Sequence, residues 1–363
     1  MARPVESYAL ANGLRVVLAP DAQATTIDVR LLFPVGTNDD PAPGIAQRAA
    51  GDLLVSDDVG PDTDARDRIA WYGDKAIARS DVDVTTRTTH FRAFGFANLA
   101  DWHLFAIAWH VIAGKYELAP LAPFKRHYVP KGAALIVTGG FDPTRVKPVI
   151  ERWYGPWKTP AAPPPKAAPA TGPKRPLVFE PGELQTVELE LAYGPAKIGE
   201  GAGILLASAI QERLARVTRT SAVITAQLDP RDQRLLLTAQ IDPADAPATA
   251  HAIAGELAQL RATGATAIEV DRARRRALAH LLASEIGPAG HGRAIEAALA
   301  NGKPPNDDSA LTGLQAATLD EVTQAARVLI DPATLQVTLR SPKEATANVL
   351  RGLGLDPATA ERR

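Results

Sequence analysis

Apolar and polar residues alternate from Tyr8 to Ala19 around the dipeptide Asn12-Gly13, a pattern that predicts a β-hairpin. The β-branched run TIDVRLLF, Thr26–Phe33, predicts a strand, and the apolar spacing from Gly44 to Val55 predicts a helix. Two further strands are expected over Ala76–Val84 and Thr88–Phe96, followed by a helix over Leu99–Ala113. Leu135–Thr138 then predicts a strand. Asp142 stands where a helix cap belongs, with Pro143 at the first helical position, where a missing N–H costs nothing.

A second series repeats this order. It predicts a strand over Gln185–Tyr193, a helix over Ile204–Arg216, strands at Ala222–Leu228 and Arg234–Ile241, and helices over Ala246–Ala262 and Glu269–Glu285. The closing segment from Pro332, with its strand, Ser341 as cap and Pro342 at the first helical position, mirrors the one from Pro130 to Pro143. Between the two series lies KTPAAPPPKAAPATGPKRP, whose seven prolines favour a semi-stiff extended linker over a packed element. The expected organisation is residues 1–158, a linker at 159–176, and residues 177–363, a tandem repeat of one α+β unit.

Composition narrows the function classes. A formal net charge of −1 gives no global basic excess of the kind nucleic-acid binding requires. The absence of cysteine removes disulfides and thiolate metal sites. No apolar stretch approaches the roughly 20 residues of a membrane span. MARPVESYALANG lacks the apolar core of a signal peptide, so the expectation is cytoplasmic, or periplasmic had a leader been removed.

Four segments together resemble the insulinase-like, mitochondrial-processing-peptidase-type family of inverted zincins. LANGLRVVL, from Leu10, resembles the family's opening hairpin, and Leu31–Leu54 (LLFPVGTNDDPAPGIAQRAAGDLL) its strand and metal-binding helix. Phe124–Trp157 resembles the strand, turn and helix that end the family's first half, and Thr318–Ile330 (TLDEVTQAARVLI) a helix near the end of its second. The resemblance implies two tandem homologous α/β-sandwich halves, each a sheet with helices packed on one side, the first half shortened.

The departures from the family's pattern carry the functional reading. Active members use H-x-x-E-H, which sets two zinc ligands on one helical face and a glutamate as general base. The matching positions in the helix at 44–55 are Gln47, Ala50 and Gly51. A neutral amide, a methyl group and a hydrogen supply neither ligands nor a base. Asp52 is one residue, ~100° of helical rotation, from the place of Gly51. The region of the family's third, acidic ligand is contracted to Ala113–Lys125, with Glu117 its only glutamate. The family's Arg–Tyr substrate pair would fall near Arg219 and Ala222, and the tyrosine is missing.

Other groupings have plainer readings. His103 and His110 are seven apart, ~10 Å along a helix, too far to share one zinc unaided; packing or surface roles are expected of them, and His90 on a strand adds nothing. Gly139-Gly140 lacks the rest of a phosphate-binding motif and is explained by the Asp142 cap. Arg272, Arg274, Arg275 and Arg276 give either a solvated helix face or a contact for an acidic partner.

The resemblance therefore implies a catalytically inactive pseudo-peptidase, holding no cofactor itself. It would pair as a heterodimer with an H-x-x-E-H-bearing subunit that carries the zinc, and help bind and position peptide or unfolded polypeptide. Arg48, Asp52 and Arg219 are the expected chamber-lining residues. The alternatives are a scaffold subunit of a larger complex that binds no peptide, and an unrelated site built around His103 and His110.

Overall fold

A computed structural model describes residues 4–40, 44–55, 79–113, 124–158, 175–180, 185–218, 222–229 and 232–362. The chain divides into two compact units, one of residues 1–170 with 283–307 and the other of 171–282 with 308–363. Most of the proline-rich stretch expected as a linker lies outside the described residues, as does the contracted region around Glu117.

The first unit is built on a six-stranded mixed sheet. Its strands are β1 (Glu6–Ala9), β2 (Arg15–Pro20), β3 (Thr26–Phe33), β4 (Arg79–Val84), β5 (Thr89–Phe96) and β6 (Ala134–Gly139), in the order β1-β2-β6-β3-β5-β4. β2 and β6 run parallel and the other neighbours antiparallel. In the β1–β2 turn Asn12 accepts from the Leu14 N–H and donates to the carbonyls of Tyr154 and Trp157 at 2.7 and 3.0 Å, so one side chain closes a hairpin and caps a distant helix end.

On one face pack α1 (Ile45–Val55), α2 (Ala100–Ala108) and α3 (Pro143–Tyr154). Ile27, Val29, Leu31 and Phe33 alternate inward from β3 to meet Leu53, Leu104, Ile107, Ile150 and Tyr154. Asp142 accepts from the Thr144 N–H at 2.8 Å with Pro143 in the first turn, as the sequence predicts. The helix expected to reach Ala113 changes hydrogen bonding after Ala108 and finishes as a π-turn, Trp109–Ala113.

The second unit repeats the plan with β7 (Leu177–Phe179), β8 (Val187–Tyr193), β9 (Val223–Asp229), β10 (Arg234–Ile241), β11 (Gln336–Arg340) and β12 (Glu361–Arg362), ordered β12-β7-β11-β8-β10-β9. β7-β11-β8-β10-β9 reproduces β2-β6-β3-β5-β4, including the parallel pair and the late strand inserted second in the row. The repeat read from the sequence is thus a repeat of topology. Its core is filled from α4 (Glu200–Val217), α5 (Ala246–Thr263), α6 (Ala267–Ser284), α8 (Ser309–Ala316), α9 (Leu319–Leu329) and α10 (Lys343–Gly352). Thr318 and Glu321 form a reciprocal capping box at the start of α9. Pro342 is the cap residue of α10, one place later than expected, and Ser341 is buried and hydrogen-bonded to Thr346.

One helix departs from the expected division at 177. α7 (Gly287–Ala300) groups with the first unit, where it packs on the sheet face opposite α1–α3. Ile295 and Leu299 meet Val17, Ala19 and Ile136. Beside this apolar strip the strands present buried charge. Asp28 accepts from Arg30 at 2.6 Å and from Arg92 at 2.5 Å, and Arg30 donates to Glu296 of α7 at 2.6 Å. Nδ1 of His90 lies 2.7 Å from the other Glu296 oxygen. α7 approaches so closely that a Cβ on Gly292 would stand 2.9 Å from the Asp28 carboxylate.

Burial pushes the Glu296 carboxyl up, but the hydrogen bond and charge of His90, then those of Arg30, outweigh it and leave the group below its ordinary value. Glu269 is held at about 2, first by its hydrogen bond from Arg213. Both carboxylates therefore stabilise the fold fully above about pH 4.5 and lose that contribution as pH falls; for Glu269 the window runs down to about 2. Glu296→Gln should flatten the acid limb of the stability–pH curve. Arg30→Met should cost about 3–5 kcal/mol at neutral pH, because it leaves buried carboxylates short of a partner. Urea denaturation across pH measures both.

Candidate functional site

The segment that matches the family's metal helix enters through a tight loop. Gly36 sits against the turn joining β4 and β5, where any Cβ would lie 2.3 Å from the Thr85 carbonyl. Thr37 and Asn38 donate to the carbonyls of Thr85 and Thr86 at 3.0 and 2.9 Å, fixing the loop on that turn. Asp40 then accepts from the Ala46 and Gly44 N–H groups at 2.6 and 3.1 Å, satisfying donors at the start of α1. Burial raises the Asp40 carboxyl despite these bonds.

Along α1 the positions separate by face. Ile45, Ala46, Ala49, Ala50 and Leu53 are buried in the core of the first unit. Gln47 and Arg48 are exposed, and Gly51 and Asp52 are half-buried. Gln47 and Gly51, i and i+4, share the outer face, the register two metal ligands would need. Ala50, at the place of the general base, is fully buried and points into the apolar core. A Cβ built on Gly51 meets nothing within 4 Å. One carboxylate oxygen of Asp52 is buried without a hydrogen-bond partner among the described residues. Arg219 lies outside the described residues.

The histidines lie apart in separate roles. His103 is fully buried and its Nε2 donates to the Phe96 carbonyl at 3.1 Å; burial lowers its pKa, so the ring is neutral. His110 donates from Nδ1 to the Leu53 carbonyl at 3.1 Å, tying the π-turn to α1. His90 faces Glu296. Among the described residues no group of three His, Asp or Glu side chains is arranged to hold a metal ion. At Gly139-Gly140 the Gly140 N–H and the Gly139 carbonyl are bonded to Thr26 and Asp21, in place of any phosphate.

On the correspondence expected from the sequence, zinc would need donors at 47 and 51 and a base at 50. The residues present do not fit it. Gln47 carries a neutral amide, Gly51 no side chain, and the Ala50 methyl is packed in hydrocarbon.

Residues 122–277 match the sequence profile described as the Peptidase M16 inactive domain. Over these residues the chain is similar to the M16, insulinase-like peptidase family. Compared by sequence, no curated protein matches. Solved structures show the same M16 fold. A protease from Helicobacter pylori superposes with a TM-score of 0.75 at 14% identity, covering 94% of this chain and 100% of its own. A peptidase M16 inactive domain from Pseudomonas fluorescens gives 0.74 at 15%, covering 94% and 98%. The periplasmic protease PqqL from Escherichia coli gives 0.68 at 14%, with 99% of this chain covering 50% of that one. The fold is that of the M16 structures, two mixed sheets flanked by helices, and residues 122–277 are similar to the inactive domain of that family.

Nothing in the sequence pattern pointed to Glu296 and its partners. A lone Glu in the alanine-rich segment of α7 looks like a surface residue until α7 is seated on the sheet.

The packing of α1 gives paired expectations. Ala50→Glu should destabilise by about 2–5 kcal/mol, since it forces a carboxyl into filled apolar space. Gly51→Ala should stabilise by about 0.5–1 kcal/mol, because a helical glycine gains a Cβ where there is room. Thermal and urea midpoints decide both; a tolerated Ala50→Glu would mean that position 50 faces a cavity.

Proposed function

We propose that this chain is the non-catalytic subunit of a heteromeric M16 peptidase, pairing with a zinc-bearing subunit and helping to hold its peptide substrate. The observation that carries the reading is the combination within the first unit of an intact M16 sheet and an α1 stripped of donors at 47, 50 and 51. Retaining the architecture while losing the chemistry fits a role in binding.

A route for sequence-tolerant peptide binding is present beside α1. Among the described residues β4 pairs only with β5 and ends the row of its sheet. Ser80, Asp81 and Asp83 on it are exposed. An added peptide strand would take backbone hydrogen bonds from such an edge, while the aspartates would favour basic side chains and discourage pairing between copies. Arg48 and Asp52 on α1, and Arg219, are the side chains we assign to the wall of the binding space.

Native mass spectrometry of the protein purified gently from its source tests the pairing. The expected result is a one-to-one complex with a second chain, zinc travelling only with that chain. Fractionating the same cells reads the compartment, cytoplasm or periplasm. A stable assembly that binds no peptide would establish the scaffold reading. Stoichiometric zinc in this chain, or peptidase activity from it alone that survives chelation controls, would overturn the proposal.

A further inference from the structure

The arginines of α6 form more than a solvated face. Three guanidiniums converge on one carboxylate of low exposure. Glu212 of α4, 10% exposed, is met at Oε1 by Arg216 and by Arg272 at 3.4 Å, and at Oε2 by Arg276 at 3.5 Å. Arg216, Arg272 and Arg276 are themselves 49, 52 and 56% exposed, so most of their donors still face solvent. Arg275, more exposed again, has Asp271 at 2.8 Å. Four guanidiniums against two carboxylates leave two positive charges. Adding the inner groups Arg213, Arg274, Glu256 and Glu269 leaves the difference unchanged.

Apolar residues bracket this charge. Ile268 and Leu282 are 65 and 58% exposed, among the most exposed large apolar side chains described. Positions 268, 272, 275, 279 and 282 fall at i, i+4, i+7, i+11 and i+14, one stripe along the outer face of α6. The two apolar ends are therefore ~21 Å apart with the arginines between them. Isolated exposed leucines need no explanation, but a stripe with apolar ends and a guanidinium centre has the composition of a protein interface, where arginine is enriched.

We propose that this face of α6 docks an acidic segment of a partner protein, one whose clustered carboxylates are flanked by apolar side chains. Arg216, Arg272 and Arg276 would supply forked donors to the carboxylates, and Ile268 and Leu282 would cover the apolar flanks. A protein is favoured over nucleic acid on three observations. The stripe carries no aromatic side chain on which a base would stack, Glu212 sits among the guanidiniums where it repels a continuous phosphate chain, and the whole chain carries a net charge of −1. The inference needs a protein partner but does not need that partner to be a peptidase.

The test uses the full chain and a fluorescent peptide with a central run of glutamates between leucines, read by anisotropy. Binding is expected, and it should weaken as salt is raised. Arg272→Ala with Arg276→Ala should weaken it roughly tenfold, and restoring lysine at both positions should recover part of the loss. Glu212→Gln should tighten it, an effect that general destabilisation cannot produce. Arg351→Ala, on α10, should leave it unchanged. Equal binding of a glutamine version of the peptide, or no binding, overturns the proposal. Tighter binding of an oligothymidylate overturns it in favour of a phosphate chain. These outcomes are independent of the zinc-and-partner measurement above, so either proposal can fail alone.

Discussion

The first unit depends on one buried charge arrangement: Asp28 between Arg30 and Arg92, and Arg30 joined to Glu296 of α7. Asp28 and Arg30 sit on β3, an interior strand of its sheet, and are essentially inaccessible to water. Charges so placed are tolerable only if each is paired, since an unpaired one costs several kcal/mol. Part of that pairing comes from α7, whose nearest residue in sequence to Arg30 among these partners is 259 positions away. A helix with Gly292 at its close approach, an apolar pair at 295 and 299 and one carboxylate at 296 is thereby fixed to this sheet face in one register.

The same arrangement accounts for what the sequence did and did not disclose. Local signals were sufficient for most elements. Asn12-Gly13 gave the hairpin, TIDVRLLF gave β3 residue for residue, and Asp142-Pro143 gave a helix start that its cap confirms. The topology repeat was legible because each half carries its own period-2 and period-3.6 runs in the same order. α7 was not legible. Its sequence, GPAGHGRAIEAALA, opens with a glycine and a proline and has a weak apolar face, and its place is decided by contacts with strands of the first unit, far earlier in the chain. The short strands β7 and β12 were missed for a related reason: three and two residues hold no period, and parallel pairing alone defines them.

At the candidate site positions 47, 50 and 51 were read by residue type alone, and the structure adds the direction each one faces. Gln47 and Gly51 share the outer face of α1, whereas Ala50 belongs to the core. Burying position 50 goes beyond losing a base. Its methyl is fully buried in the same apolar cluster as Ala46, Ala49 and Leu53, where a general base would need a solvated carboxylate. His103, His110 and His90 are each committed elsewhere, to a strand end, to α1 and to α7.

The two units thus spend their polar groups differently. In the first, guanidiniums and carboxylates are matched, buried and used to hold a helix; Arg30 is 2% exposed. In the second, the guanidiniums around Glu212 outnumber their carboxylates and remain half in water. Matched burial gives one fixed geometry and little capacity to bind anything further. Unmatched exposure contributes little to the fold, because half-exposed ion pairs are worth only ~1 kcal/mol or less. Donors left in water beside Glu212 are the groups that a partner's carboxylates would engage.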